Sequence, residues 1–212
     1  MNPPILRLFF NPLDIRPLCQ KPHVHDGYLY ATNGHMGIRA PVHDAETSPD
    51  GQTIAKLKLW HGIEQMRNLP ADQIRFIAFP QDFHVIPCET CGGNGIVREC
   101  PTCRGLDLAM DDECSACDGW NKSTKQNPVI DGHLVCEACE GLAWTIPEEH
   151  YFKVGESFYD ERYLYRIHTA AQGQPVQFFQ TENFSTASDF TRNYTLFFAF
   201  GDVEGILQPV KP

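Results

Sequence analysis

Cys88-Glu89-Thr90-Cys91-Gly92-Gly93-Asn94-Gly95 opens a pattern that returns three times, as Cys100-Pro101-Thr102-Cys103-Arg104-Gly105, Cys114-Ser115-Ala116-Cys117-Asp118-Gly119 and Cys136-Glu137-Ala138-Cys139-Glu140-Gly141. Two residues between cysteines let both thiolates turn onto one tetrahedral metal ion at ~2.3 Å, and the glycine two places after the second cysteine permits a positive-φ knuckle. Each pair is half a site. Four pairs therefore predict two sites of four thiolates each, with no coordination position left for water, which is the make-up of structural and not of catalytic zinc. An iron–sulfur cluster also takes four thiolates, and a metal-free CxxC can exchange disulfides. Redox pairs come singly at a helix start, however, and the repeated knuckle glycines favour zinc. His133 is a further nitrogen donor, but with eight paired cysteines at hand it reads as an exposed loop residue.

Around this array the composition changes. Residues 88–143 carry ten acidic and four basic side chains, are rich in Gly and Asp and show little apolar periodicity, so metal must replace the core they lack. They read as an insertion between 1–87 and 144–212, which together form one discontinuous domain. Those flanks predict an α+β fold. Ile5–Phe10, Tyr28–Thr32, Met36–Val42, Gln73–Phe79 and Phe83–Ile86 are short runs rich in β-branched and aromatic residues, and Asn33-Gly34 predicts a type I′ hairpin turn between two of them. Leu59, Ile63 and Met66, with Trp60 beside them, mark one face of a helix over 54–69, ended by Pro70. A second helix starts at Asp160, with Leu164, Ile167, His168 and Ala171 on its core face and Gly173 as its stop. Strands follow at Val176–Gln180, Tyr194–Phe200 and Ile206–Val210.

Composition narrows the function. A 212-residue chain that is 42% apolar can bury a sizeable core, and its net charge of −10 offers no broad basic surface for nucleic acid. No apolar run approaches the ~18 residues of a membrane span, and Pro3, Pro4, Arg7 and Pro12 interrupt the N-terminal segment, which reads as a strand and not a signal. Cysteines in metal-site pairs point to a reducing, cytoplasmic setting, and the ninth, Cys19, reads as a small buried side chain. His23 and His25, near Asp26, alternate along a strand and read as exposed polar residues. No nucleophile–base pair or open metal site stands out, so the chain reads as a non-enzyme without a small-molecule substrate.

The cysteine array resembles the cysteine-rich region of the DnaJ co-chaperone family, whose repeat is CxxCxGxG. That resemblance implies a zinc hairpin module in which the first pair joins the fourth and the second joins the third. Cys88, Cys91, Cys136 and Cys139 would then hold one zinc ion, and Cys100, Cys103, Cys114 and Cys117 the other. An inserted excursion must leave and return at one place, which suits nested pairing; sequential pairing is the alternative. Only the first segment keeps both family glycines, since Asp107, Asn121 and Ala143 stand at the second position. The His-Pro-Asp tripeptide of the J domain is absent.

Three segments of the flanks, Ala31-Thr32-Asn33-Gly34-His35, Phe158-Tyr159-Asp160-Glu161-Arg162-Tyr163-Leu164 and Gln208-Pro209-Val210-Lys211, fall in that order along the chain. They resemble the Ala-Thr-Asp-Gly-His-Arg hairpin, the Phe-Asn-x-x-Tyr-Leu helix entry and the closing Met-Pro-Met-Arg of the bacterial sliding-clamp family, the processivity subunit of DNA polymerase. The resemblance implies a single module of two βαβββ halves whose helices face DNA, with Lys56, Lys58, Arg67, Arg162 and Arg166 as the DNA-facing cations. One module per chain further implies a homo-oligomer if a ring is to form. Read from their charges, the same helices are solvated faces. The resulting expectation is a clamp-like adaptor in DNA metabolism, binding protein partners or DNA. The alternative is a chaperone-like binder of extended polypeptide through the zinc module.

Overall fold

A computed structural model describes residues 6–43, 46–68, 70, 74–80, 82–97, 129–130, 133–136, 138–146, 150–154, 157–180 and 195–211. The chain divides into two compact units, one of residues 1–84 with 148–212 and one of residues 85–147. Numbered along the chain, the strands are β1 His23–His25, β2 Tyr28–Thr32, β3 Met36–Pro41, β4 Arg75–Ile77, β5 Ile86–Pro87, β6 Ile96–Val97, β7 Val129–Ile130, β8 His133–Val135, β9 Trp144–Thr145, β10 Tyr151–Val154, β11 Ser157–Asp160, β12 Gln177–Gln180, β13 Leu196–Phe200 and β14 Val203–Leu207. Among the described residues every pairing is antiparallel, and with few helices the fold is α+β.

The first unit is organised by a seven-stranded sheet in the order β1-β2-β3-β14-β13-β12-β4. Its inner strand β13 reads Leu-Phe-Phe-Ala-Phe because side chains from both of its faces are buried. On one face Phe197 joins Tyr30, Ile54, Trp60, Ile63 and Ile206 in a core cluster, with Trp60 set edge-on to Tyr30 at 5.1 Å. Phe198 points the other way and meets Phe9, Phe178 and Phe200. The helix Glu161–Ala171 buries Leu164, Ile167, Ala170 and Ala171, and the Asp160 carboxylate caps it by accepting from the Arg162 N–H at 2.9 Å.

Several local expectations change. Residues Arg7–Phe9, expected as strand, form a 3-10 turn that buries Leu8 and Phe9, an ambiguity inherent in a short apolar run. The helix expected over 54–69 is two, Gly51–Ala55 and Lys58–Arg67, and the Trp60 indole donates to the Ile54 carbonyl at 2.7 Å where the first one ends. The side chains of Leu59 and Met66 lie outside those described. A positive-φ pair does occur, but at Asp26 (+47°) and Gly27 (+73°), which join β1 to β2 as a two-residue I′ turn should. At the other hairpin only Gly34 is positive (+87°), and the Asn33 carboxamide instead accepts from the N–H groups of His35 and Met36. His23 is fully buried, not exposed, and burial lowers its pKa, which favours the neutral ring. His168, expected in the core, is exposed and stacks on Phe79 at 5.8 Å. Of the stretch 83–86 only Ile86 is strand, and the stretch 73–79 contributes only β4.

In the second unit β5 pairs with β9, and β6, β8 and β7 form a three-stranded sheet. His133, expected in a loop, begins β8.

Candidate metal centre

Two tight loops build this centre, Cys88–Gly95 between β5 and β6 and Cys136–Ala143 between β8 and β9. Their cysteines match at a separation of 48 positions, Cys88 with Cys136 and Cys91 with Cys139. In each loop the N–H five residues after the first cysteine returns to that cysteine's carbonyl: Gly93 to Cys88 at 3.0 Å and Gly141 to Cys136 at 2.9 Å. The loops then bind each other reciprocally, with the Cys88 N–H donating to the Ala143 carbonyl at 3.0 Å and the Cys136 N–H to the Gly95 carbonyl at 3.1 Å. Backbone conformation matches as well, at φ +60°, +77° and +73° for Gly92, Gly93 and Gly95 against +54°, +78° and +72° for Glu140, Gly141 and Ala143. The second loop thus holds the knuckle shape without two of the three glycines, at the cost of left-handed backbone in residues that carry a Cβ.

The loops bring four sulfurs together. Sγ of Cys88 lies 3.9 Å from that of Cys136, Sγ of Cys91 lies 3.8 Å from that of Cys139, and all four fall within 4.8 Å of one another. Four thiolates at about 2.3 Å around one tetrahedral ion stand about 3.8 Å apart, so the tetrad can hold one metal ion. A multi-iron cluster needs its ligand sulfurs spread over several metals, and these sulfurs are too close for that. Cys88, Cys136 and Cys139 are buried and Cys91 is half-buried. Burial pushes the Cys136 and Cys139 thiols up; it acts on Cys91 too, but there the N–H groups of Gly95 and Asn94 and the neighbouring thiols prevail and hold the pKa down at about 7. The Gly95 N–H reaches the Cys91 sulfur at 3.2 Å. Cys100, Cys103, Cys114 and Cys117, the expected second site, lie outside the described residues.

The five expected DNA-facing cations do not form one patch of free charge. Lys56 is exposed, and the Lys58 side chain lies outside those described. Arg67 is bound to Glu204 at 2.7 Å and Arg162 to Asp160 at 2.6 Å. Arg166, expected on a solvated helix face, is buried, with its guanidinium 5.5 Å from the centre of the Tyr163 ring and 3.5 Å from the Leu8 carbonyl. No described helix is long and apolar enough to cross a membrane.

Sequence reasoning missed a second gathering of ligand atoms, His84, His150 and Glu161. From sequence Glu161 enters only as part of the clamp-like helix entry Phe158–Leu164, and no motif spacing links it to the two histidines. Compared with family models, curated proteins and solved structures, the chain matches none.

Proposed function

We propose that this chain is a non-enzymatic, zinc-containing interaction protein, a clamp-like scaffold for protein partners in DNA metabolism. The carrying observation is that the three segments resembling the sliding clamp converge on His35. Its ring stacks on Tyr163 at 5.3 Å, its carbonyl accepts from the Gln208 N–H at 2.8 Å, and the Val210 N–H donates to the Phe158 carbonyl at 2.8 Å. Element order after the insertion gives partial support: among the described residues β11, the Glu161–Ala171 helix, β12, β13 and β14 run strand, helix, three strands, with β10 ahead of them and β11 paired to it in a separate two-stranded sheet. Before the insertion the order is three strands, two helices and one strand, so the support comes from the second half.

Protein, and not duplex DNA, is the favoured partner. Phosphate neutralisation needs several free cations, whereas Arg67 and Arg162 are already paired, Arg166 is buried and the net charge is −10. In the insertion the four-thiolate donor set suits zinc, closed to water and therefore structural, and the inner four cysteines would carry a second zinc ion. The test is affinity capture with the full chain from a reducing cell extract, alongside gel shifts on duplex DNA at low and physiological salt. Recovery of replication or repair proteins without a DNA shift at physiological salt is expected; failure to recover any such protein refutes the scaffold.

A second reading, binding of extended polypeptide, is favoured by one feature. Among the described residues β6 and β7 are the two edges of their three-stranded sheet, and an edge can add a strand. Each is only two residues long and offers few hydrogen bonds, which ranks this reading second. Slower aggregation of an unfolded client by the zinc-loaded protein, lost in Cys88→Ser, would promote it.

A further inference from the structure

We propose that His84, His150 and Glu161 form a second, open site for a divalent transition-metal ion, built within the α+β unit and separate from the cysteines. Their ligand atoms all lie within 4.8 Å of one another. Nδ1 of His84 is 3.2 Å from both Glu161 oxygens, and Nδ1 of His150 is 3.5 Å from Oε2. Nitrogen and oxygen donors at about 2.0–2.2 Å around one tetrahedral ion stand about 3.3–3.6 Å apart, close to the histidine–carboxylate spacings here.

The donors are held in place by different parts of the unit. Glu161 opens its helix and is fixed to the neighbouring chain, its own N–H donating to the His150 carbonyl at 3.1 Å and its Oε1 accepting from the His84 N–H at 2.6 Å. His150 immediately precedes β10, whose Tyr151 pairs with Asp160 and so sets it beside Glu161. Next to His84, Phe83 is wedged against Phe152, Tyr165 and His168 at 6.0, 5.2 and 5.4 Å. The ligands are therefore positioned before any ion arrives.

Burial makes a cation the natural occupant. The Glu161 side chain is 2% exposed, and a buried carboxylate is costly unless it is paired or ligates a metal. Among the described residues its ion-pair partners are these two histidines, with no lysine or arginine. The histidines face outward, 62% and 40% exposed, so the remaining coordination positions open to solvent and would take water. Two imidazoles and one carboxylate suit zinc and its first-row neighbours, not calcium or magnesium, and three protein donors with an open position form the opposite of the closed tetrad. The site would be where a metal-activated water could arise, and so bears on the non-enzymatic reading without depending on it.

Cobalt(II) is the probe, because thiolate-bound cobalt absorbs strongly in the near ultraviolet and cobalt on nitrogen and oxygen does not. Full-length protein is titrated with cobalt(II) beside His84→Ala/His150→Ala and Glu161→Gln, with circular dichroism checking the fold. Wild type is expected to bind one equivalent more than either variant, the extra equivalent adding visible d–d bands but no thiolate absorption. Equal stoichiometry in wild type and the double-histidine variant, or an extra equivalent that carries thiolate bands, overturns the site. Retention of that equivalent by a folded Glu161→Gln overturns the role of the carboxylate. The thiolate bands report the cysteine centre in the same titration, so loss of one site is not mistaken for loss of the other.

Discussion

Gly95→Ala and Ala143→Gly are one exchange made in opposite directions at matching positions of the two metal loops, and they should act with opposite sign. Both residues have left-handed backbone, φ +73° and +72°, which costs a residue with a Cβ about 1–2 kcal/mol. At Gly95 a Cβ would also lie 2.5 Å from the Gly141 carbonyl oxygen and 3.1 Å from its carbon. Those are backbone atoms, and the Gly141 N–H is tied to Cys136 at 2.9 Å, so the neighbour cannot move without disturbing a cysteine. Overpacking of this kind adds about 1–3 kcal/mol, and the stiffer unfolded chain offsets about 0.5–1 kcal/mol, for a net loss of about 1–4.5 kcal/mol. Ala143→Gly removes about 1–2 kcal/mol of strain but returns about 0.5–1 kcal/mol as entropy of the unfolded chain, a net gain of about 0–1.5 kcal/mol. Where folding of the loops is linked to metal binding, these energies appear as affinity. At about 1.4 kcal/mol per tenfold, Gly95→Ala weakens binding by roughly fivefold to about a thousand-fold, and Ala143→Gly leaves it equal or up to roughly tenfold tighter. Competition with a chromophoric chelator on the full protein measures both. A Gly95→Ala affinity within threefold of wild type, or a loss in both variants, refutes the matched-knuckle reasoning.

Two further outcomes follow from the electrostatics. Because burial raises the Cys136 and Cys139 thiols, the metal-free tetrad enters neutral pH partly protonated, so metal uptake should release protons and weaken as pH falls. Calorimetry in two buffers of different ionisation enthalpy reads this, and identical heats in both would contradict it. Without metal the lowered Cys91 adds stability as pH rises from about 7 towards the ordinary thiol range. The raised Cys136 and Cys139 lose theirs only as pH climbs beyond that range, so urea stability of the metal-free protein should fall in strong alkali. Separately, Glu204 accepts from Arg39 at 3.1 Å and Arg67 at 2.7 Å, and the Arg39 side chain is only 5% exposed. Glu204→Ala leaves Arg39 with the largely exposed Glu64 and should cost about 1–3 kcal/mol in urea unfolding, reduced from the fully buried case because Glu204 itself is 23% exposed. A loss below about 0.5 kcal/mol would show that the pairing contributes little.

Legibility tracked the range of the interaction. A CxxC pair with its glycine is a local object, and thiolate chemistry names the ligand before any fold is known; the amphipathic Glu161–Ala171 helix is local in the same sense. The Asp26-Gly27 turn was equally local, yet Asn33-Gly34 attracted the same rule, and only backbone φ separates them. Arg166 looked like a surface cation because periodicity places a residue on a helix face but does not say what covers that face.

By itself, then, the sequence determined the α+β character, the cysteine pairs able to ligate a metal ion and the helix capped by Asp160, read from patterns a few residues long. Tertiary structure decided that Cys88 and Cys91 meet Cys136 and Cys139, one of the two pairings the sequence left open, that His35 receives Tyr163 and Gln208, and that two histidines close on a buried Glu161. The reason is physical. His84 and Glu161 stand 77 residues apart, and what brings them within 3.2 Å is strand pairing and aromatic packing elsewhere in the unit, which no local pattern of charge or hydropathy encodes.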